Sequence, residues 1–81
     1  MNIYVGNLSP KTLKRHLRKM FRRYGAVSNI SMDKRSSNGT PYNFCFLEMP
    51  IEDQASHAIK ELNGKKLGGY ILTVKENDGS A

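Results

Sequence analysis

The sequence predicts an α+β fold in which two helices cover one face of a four-stranded antiparallel sheet. Three observations predict it. The segments Ile3-Tyr4-Val5-Gly6-Asn7-Leu8 and Tyr42-Asn43-Phe44-Cys45-Phe46-Leu47-Glu48-Met49 alternate large side chains with a period of two, as strands do. Leu13, Leu17, Met20, Phe21 and Tyr24, and later Ala55, Ala58, Ile59 and Leu62, recur at helical spacing. Residues that favour turns separate these segments.

The first strand is expected over residues 2–6, and Ser9-Pro10 turns the chain. The first helix then carries its narrow apolar stripe, with Thr12 as the expected N-cap and Gly25 as the expected C-cap residue. Residues 27–33 read as the second strand. The stretch 34–41, with Ser36-Ser37-Asn38-Gly39, reads as a polar loop. The third strand covers roughly 42–49 and is stopped by Pro50. The second helix covers roughly 52–62 and ends at Asn63-Gly64. Residues 65–70, with Gly68-Gly69, make a short turn, and 71–76 form the fourth strand. Residues 1–77 are expected to be the domain and 78–81 a flexible tail. The order βαββαβ is the split-βαβ, ferredoxin-like arrangement.

A chain of 81 residues holds one small domain, near the lower size at which a core sustains itself. No apolar run approaches the ~20 residues of a membrane helix, and no signal-peptide pattern precedes the first strand, so a cytoplasmic protein without membrane contact is expected. A single cysteine, Cys45, forms no internal disulfide, which suits a reducing compartment. The net charge is +6, and its distribution is uneven. Residues 1–32 hold Lys11, Lys14, Arg15, Arg18, Lys19, Arg22 and Arg23 and no acid, whereas bases and acids nearly balance beyond them. A domain of this charge attracts polyanions, of which nucleic acid is the commonest.

Alternation assigns faces. Tyr4 points away from Ile3 and Val5, and Tyr42, Phe44, Phe46 and Glu48 point away from Cys45, Leu47 and Met49. If the two strands are neighbours, Tyr4, Phe44 and Phe46 form an exposed aromatic platform, the kind of surface on which unpaired bases stack. By the same alternation Asn29, Ser31, Thr73 and Lys75 share the uncovered face.

The paired segments resemble the hexamer and octamer motifs of the RNA recognition motif family, whose octamer reads roughly K/R-G-F/Y-G/A-F-V-x-F/Y. Leu17, Phe21, Tyr24-Gly25, Ala55, Ala58-Ile59, Leu62-Asn63-Gly64, Leu72 and Val74 extend the resemblance over residues 2 to about 77, most nearly to small proteins with one such domain. It implies a non-catalytic domain that binds single-stranded RNA, with a role in post-transcriptional control or RNA chaperoning. Bases would stack on Tyr4 and Phe46, and Phe44 would pack against a ribose. Asn29, Ser31, Thr73 and Lys75 would read base edges, and Lys34, Arg35 and Lys75 would meet phosphates. Tyr42 stands where the family usually has Lys or Arg, and Asn43 where it has Gly; Tyr42 serves stacking, a hydrogen bond or edge packing. The partners expected are single-stranded RNA and, because stacking is common to both, single-stranded DNA. A monomer without cofactor is expected.

The basic face of the first helix is a separate feature. Lys11–Arg15, Lys14–Arg18, Arg15–Lys19, Arg18–Arg22 and Lys19–Arg23 are like-charge pairs at i,i+4, each costing a few tenths of a kcal/mol. A locally costly pattern points to use as a second RNA contact or as a seat for an acidic protein partner; the plainer alternative is a solvated face. A protein-interaction module using this helix is therefore the rival function. An enzyme of the acylphosphatase type would need an anion-binding loop with an arginine after the first strand, where this chain has Gly6-Asn7-Leu8-Ser9-Pro10. His16 and His57 read as surface helix residues, and no metal ligand set or catalytic constellation is expected.

Overall fold

In the computed structural model, residues 1–37 and 40–77 are described, with the backbone alone at 34–37 and 40–43. The elements are β1 (Asn2–Leu8), α1 (Lys14–Arg22), β2 (Asn29–Ser37), β3 (Thr40–Glu48), α2 (Glu52–Leu62), β4 (Lys66–Leu67), β5 (Tyr70–Ile71) and β6 (Thr73–Glu76). The main sheet runs β2-β3-β1-β6, antiparallel throughout, as the alternation required. The two helices pack on one face of it. Ile3, Val5, Cys45, Leu47, Met49 and Val74 of the sheet meet Leu17 and Phe21 of α1 and Ala55, Ala58 and Leu62 of α2 in a single buried cluster.

The helix ends differ from expectation. Leu13, not Thr12, is the N-cap of α1, and Thr12 is buried, its N–H donating to the Ser9 carbonyl at 3.0 Å. Leucine has no side-chain acceptor, so His16 Nδ1 accepts the Leu13 N–H at 3.4 Å instead. At the other end the C-cap is Arg23, still in the right-handed region, and the Tyr24 N–H closes a tight last turn on the Phe21 carbonyl. Gly25 serves spacing rather than capping. A Cβ there would collide with the Gln54 side chain of α2, whose Oε1 accepts the Ala26 N–H at 3.1 Å. The absent side chain lets the chain leave α1 close against α2.

The expected loop over 34–41 is also corrected at 34–37 and 40–41, while 38–39 lie outside the described residues. β2 and β3 pair as far as Ser37 opposite Thr40, so Lys34 and Arg35 lie in a strand, their Cα atoms opposite those of Asn43 and Tyr42. β2 begins at Asn29 rather than at Val27. The stretch 65–70 contains a two-stranded hairpin, β4–β5, turned by Gly68 and Gly69 at φ 60° and 86°. Two consecutive positive φ values suit a tight hairpin turn, which glycine adopts without steric cost. Ile71 therefore pairs with Lys66, and the fourth strand of the main sheet starts at Thr73. The expected tail at 78–81 lies outside the described residues.

α2 ends as expected at Asn63, and that side chain has a second task. Asn63 Oδ1 accepts the Val74 N–H at 3.0 Å, which ties the helix end to β6. Alanine at this position leaves a partly buried donor unpaired, at about 1–2 kcal/mol. For a domain of this size that lowers Tm by roughly 5–10 °C, measurable by thermal denaturation followed by circular dichroism. An unchanged Tm would mean that solvent replaces the bond at no cost.

Candidate nucleic-acid interface

The open face of the sheet carries the candidate site, and strand register builds it row by row. Ser31 stands opposite Phe46, Phe46 opposite Tyr4, and Tyr4 opposite Lys75, so one row crosses all four strands. The row towards the chain termini holds Asn29, Glu48 and Asn2. The row on the other side pairs Asp33 with Phe44 and Gly6 with Thr73. Asn29, Ser31, Thr73 and Lys75 are all exposed there, as alternation placed them.

The three rings gather as expected. Tyr4 and Phe46 have centroids 5.6 Å apart, Phe44 and Phe46 5.5 Å in an edge-to-face arrangement, and Tyr4 and Phe44 6.4 Å. Their exposure differs. Tyr4 and Phe46 are half-buried, whereas Phe44 retains only 8% of its surface and is buried on the open side of the sheet, outside the main core cluster. The expected exposed platform of three rings thus keeps accessible faces at Tyr4 and Phe46, while Phe44 is buried. Phe44 contacts both of the other rings.

Gly6 is a positioning residue that composition alone does not reveal. A Cβ on it would strike the Tyr4 hydroxyl and lie 2.7 and 2.8 Å from the Tyr4 ring carbons Cε2 and Cζ. The tyrosine ring thus lies along its own strand, over the residue two further on. Gly6 is not among the residues of positive φ, so space rather than backbone conformation requires the glycine. Gly6→Val is expected to lift the ring and remove most of one stacking contact, roughly tenfold in RNA affinity. Anisotropy titration of a short RNA would show it, and affinity equal to wild type would mean that the ring's flat placement does not matter.

Lys75 places its Nζ 5.4 Å from the Tyr4 ring centroid, in cation–π range. The structure adds Asn2 and Asn77 to the expected residues of this face. Asn2, Asn29, Ser31, Glu48 and Asn77, with Phe46, line a shallow depression of about 100 Å³. Three amides and a hydroxyl beside a ring supply both donors and acceptors. The Glu48 carboxylate accepts from Ser28 Oγ at 3.1 Å, which orients it. Asn2, Asn77 and Asp33 follow from the same alternation that identified Tyr4, Lys75 and Ser31, extended by one step. The side chains of Tyr42, Lys34 and Arg35 lie outside the described residues, so their expected roles have no geometry here.

Cys45 faces the helices, fully buried, and burial pushes its thiol up to about 12 against a smaller opposing influence of Lys14. It stays protonated and acts as a small apolar side chain. Among the described residues no group of three His, Cys, Asp or Glu side chains is placed to hold a metal ion, and no helix is long and apolar enough to cross a membrane.

Comparison with known proteins agrees with this geometry. The profile of the RNA recognition motif matches residues 3–73. The chain is 35% identical over 77 residues to nuclear cap-binding protein subunit 2 of Drosophila persimilis, covering 95% of this chain and 50% of that protein. It is 36% identical over 70 residues to the Gallus gallus counterpart, covering 86% of this chain and 42% of that protein. The chain therefore spans about half the length, or less, of these relatives. Its fold is similar to the crystal structure of RNA Binding Protein PG1, with TM-score 0.85, 37% identity and coverage of 96% of this chain and 94% of that one. It also shares the fold of the Rna15 RRM with bound RNA (GU), at TM-score 0.82 and 21% identity, covering 99% of this chain and 85% of that one. With the motif matched along most of its length and its two aromatic segments side by side on an open sheet, the chain belongs to the RNA recognition motif family and is an RNA-binding domain.

Proposed function

We propose that residues 1–77 bind single-stranded RNA through the open sheet face, without catalysis. The observation that carries this reading is the pairing of two accessible rings, Tyr4 and Phe46, at 5.6 Å on adjacent strands. Two successive bases stack on them, each contact contributing roughly 1–3 kcal/mol. The amide-lined depression beside Phe46 offers hydrogen-bond partners to the edge of one base. Lys75 serves the adjoining phosphate. Asp33 and Glu48 on the same face limit how closely phosphates approach that side.

Recognition of a cap, the activity in the curated relatives' name, is the second reading. A cap carries a methylated, cationic guanine, which stacks best on an aromatic face open to a cation. Here the Tyr4 ring already meets the Lys75 ammonium at 5.4 Å, so a cationic base meets like charge. Uncapped single strands fit the face better.

Anisotropy of short labelled RNAs at two salt concentrations tests the proposal, with single-stranded DNA of the same sequence and a cap analogue as competitors. RNA is expected to bind at both salts, and the cap analogue is not expected to displace it. DNA competes through stacking and phosphate contacts but lacks the 2′-hydroxyls that RNA adds. Binding abolished by moderate salt would overturn the stacking mode, because only phosphate contacts depend steeply on salt. Strong displacement by the analogue would favour the cap. A role in post-transcriptional control or RNA chaperoning, a monomeric state and cytoplasmic residence complete the proposal. Light scattering and microscopy of the tagged protein are the measurements for the last two, and nuclear signal would align it with relatives named as nuclear.

A further inference from the structure

The outer side of α1 carries a groove of about 390 Å³ lined by Arg15, Arg18, Lys19, Arg22 and Arg23 alone. α1 buries Leu17 and Phe21 against the sheet. At 100° per residue, Arg15 and Lys19 project nearly opposite to that pair and Arg22 about 120° from it, into solvent. Among the described residues none of the five forms an ion pair, and the first turn of the helix contains no acid. Like charges at Arg15–Lys19, Arg18–Arg22 and Lys19–Arg23 repel one another until an anion joins them. Guanidinium groups, four of the five cations, suit phosphate oxygens bidentately.

We infer that this groove is a second nucleic-acid site, which grips the phosphate backbone of a duplex or of another strand while the sheet face holds unpaired bases. Two features favour a polyphosphate over an acidic protein segment. All five residues lining the groove are cations, and the apolar Met20 and Leu67 line an adjoining pocket that shares only Lys19 and Arg23 with it, so a peptide's apolar anchor would seat beside the groove and not in it. No aromatic ring lines it either, so it reads charge and not bases, which makes it indifferent to pairing. The groove and the platform lie on opposite layers of a molecule whose shortest dimension is 20 Å, so a short strand stacked on Tyr4 and Phe46 does not reach the cations. Two strands held at once by one domain are brought together, and annealing of complementary RNAs is the resulting activity. That activity rests on the single-strand reading of the sheet face; duplex binding by the groove does not.

The experiment measures binding of a labelled blunt RNA duplex to the full chain and three variants, each checked for an unchanged thermal transition. Arg15→Gln/Arg18→Gln/Arg22→Gln empties the groove. Lys60→Glu/Lys66→Gln removes the same charge elsewhere, sparing Lys65, which lies in a pocket with Lys19 and Arg23. Tyr4→Ala/Phe46→Ala removes the platform. The groove variant is expected to bind duplex at least about tenfold more weakly at low salt and to lower the slope of log affinity against log salt by about 2–3. The lysine variant is expected to change affinity less than about threefold, and the platform variant to keep duplex binding. Annealing of two complementary strands should slow about tenfold or more in both the groove and the platform variants. Equal weakening by the groove and lysine variants would overturn the site, since net charge alone would then explain binding. Duplex left unbound while a polyglutamate peptide binds would overturn it in favour of an acidic protein partner. Duplex binding without faster annealing would overturn the bridging activity.

Discussion

Replacing Tyr4 and Phe46 together by alanine is expected to weaken binding of a short single-stranded RNA on the order of a hundredfold, about 3 kcal/mol. The magnitude follows from two stacking contacts of roughly 1–3 kcal/mol each, reduced because the rings also touch each other and their losses do not simply add. Neither ring belongs to the buried cluster that holds helices to sheet, so the fold survives the change. The salt dependence carries the diagnosis. Stacking involves no counterion release, so the loss should be the same at low and moderate salt and the slope of log affinity against log salt should not change. Titrating wild type and variant at both concentrations separates this from a loss of phosphate contacts, which would alter the slope. Affinity within about twofold of wild type would remove the sheet face as the binding site and leave the basic groove on α1 as the principal one. Phe44→Ala makes a useful contrast. That ring is buried, so its loss should lower stability first and affinity only through the tilt of its two neighbours.

The strands that bear the platform were legible because each alternates strongly and each face has one chemical character. Ile3 and Val5 against Tyr4, and Cys45 and Leu47 against Phe44 and Phe46, allow only one orientation once a core must form. α2 was legible to its ends because Pro50 and Asn63-Gly64 punctuate it. The hairpin strands were less so. The stretch 34–41 has a composition that favours turns, yet its described residues, 34–37 and 40–41, continue the ladder, because pairing between adjacent strands overrides weak local preference. The β4–β5 hairpin is two residues on each side, too short for any period to register. At the site, alternation located Asn29, Ser31, Thr73 and Lys75 but could not show that Phe44 is buried while its neighbours are not, since burial within one face depends on how side chains lean. The roles of Gly6 and Asn63 are likewise contacts in three dimensions: one leaves room for the Tyr4 ring and the other reaches the backbone of Val74. The N-cap was missed because His16 serves Leu13 from the inside of the helix, where the usual search looks for an acceptor at the cap itself.

Phe21→Ala is expected to have the largest effect on stability. Phe21 is fully buried and is the largest such side chain, seated between α1 and the sheet. Truncation removes its transfer free energy and leaves a cavity that a two-layer domain closes poorly, about 3–5 kcal/mol in all. A domain of this size has roughly 4–12 kcal/mol of stability, so the variant lies at or near its folding threshold. Urea denaturation should show a midpoint far below wild type with a similar slope, if the cavity rather than a looser native state is responsible. RNA affinity then supplies a second test. A core variant binds weakly only because part of it is unfolded, so its apparent dissociation constant rises by the inverse of the folded fraction. Saturating RNA should restore both its fold and its signal, by mass action on the folded state. The platform variant should behave in the opposite way: folded without RNA, and not rescued by more of it at concentrations that saturate the wild type. If Phe21→Ala instead stays folded but binds RNA a hundredfold more weakly, α1 and the sheet face are coupled through the core, and the two layers of this domain do not act independently.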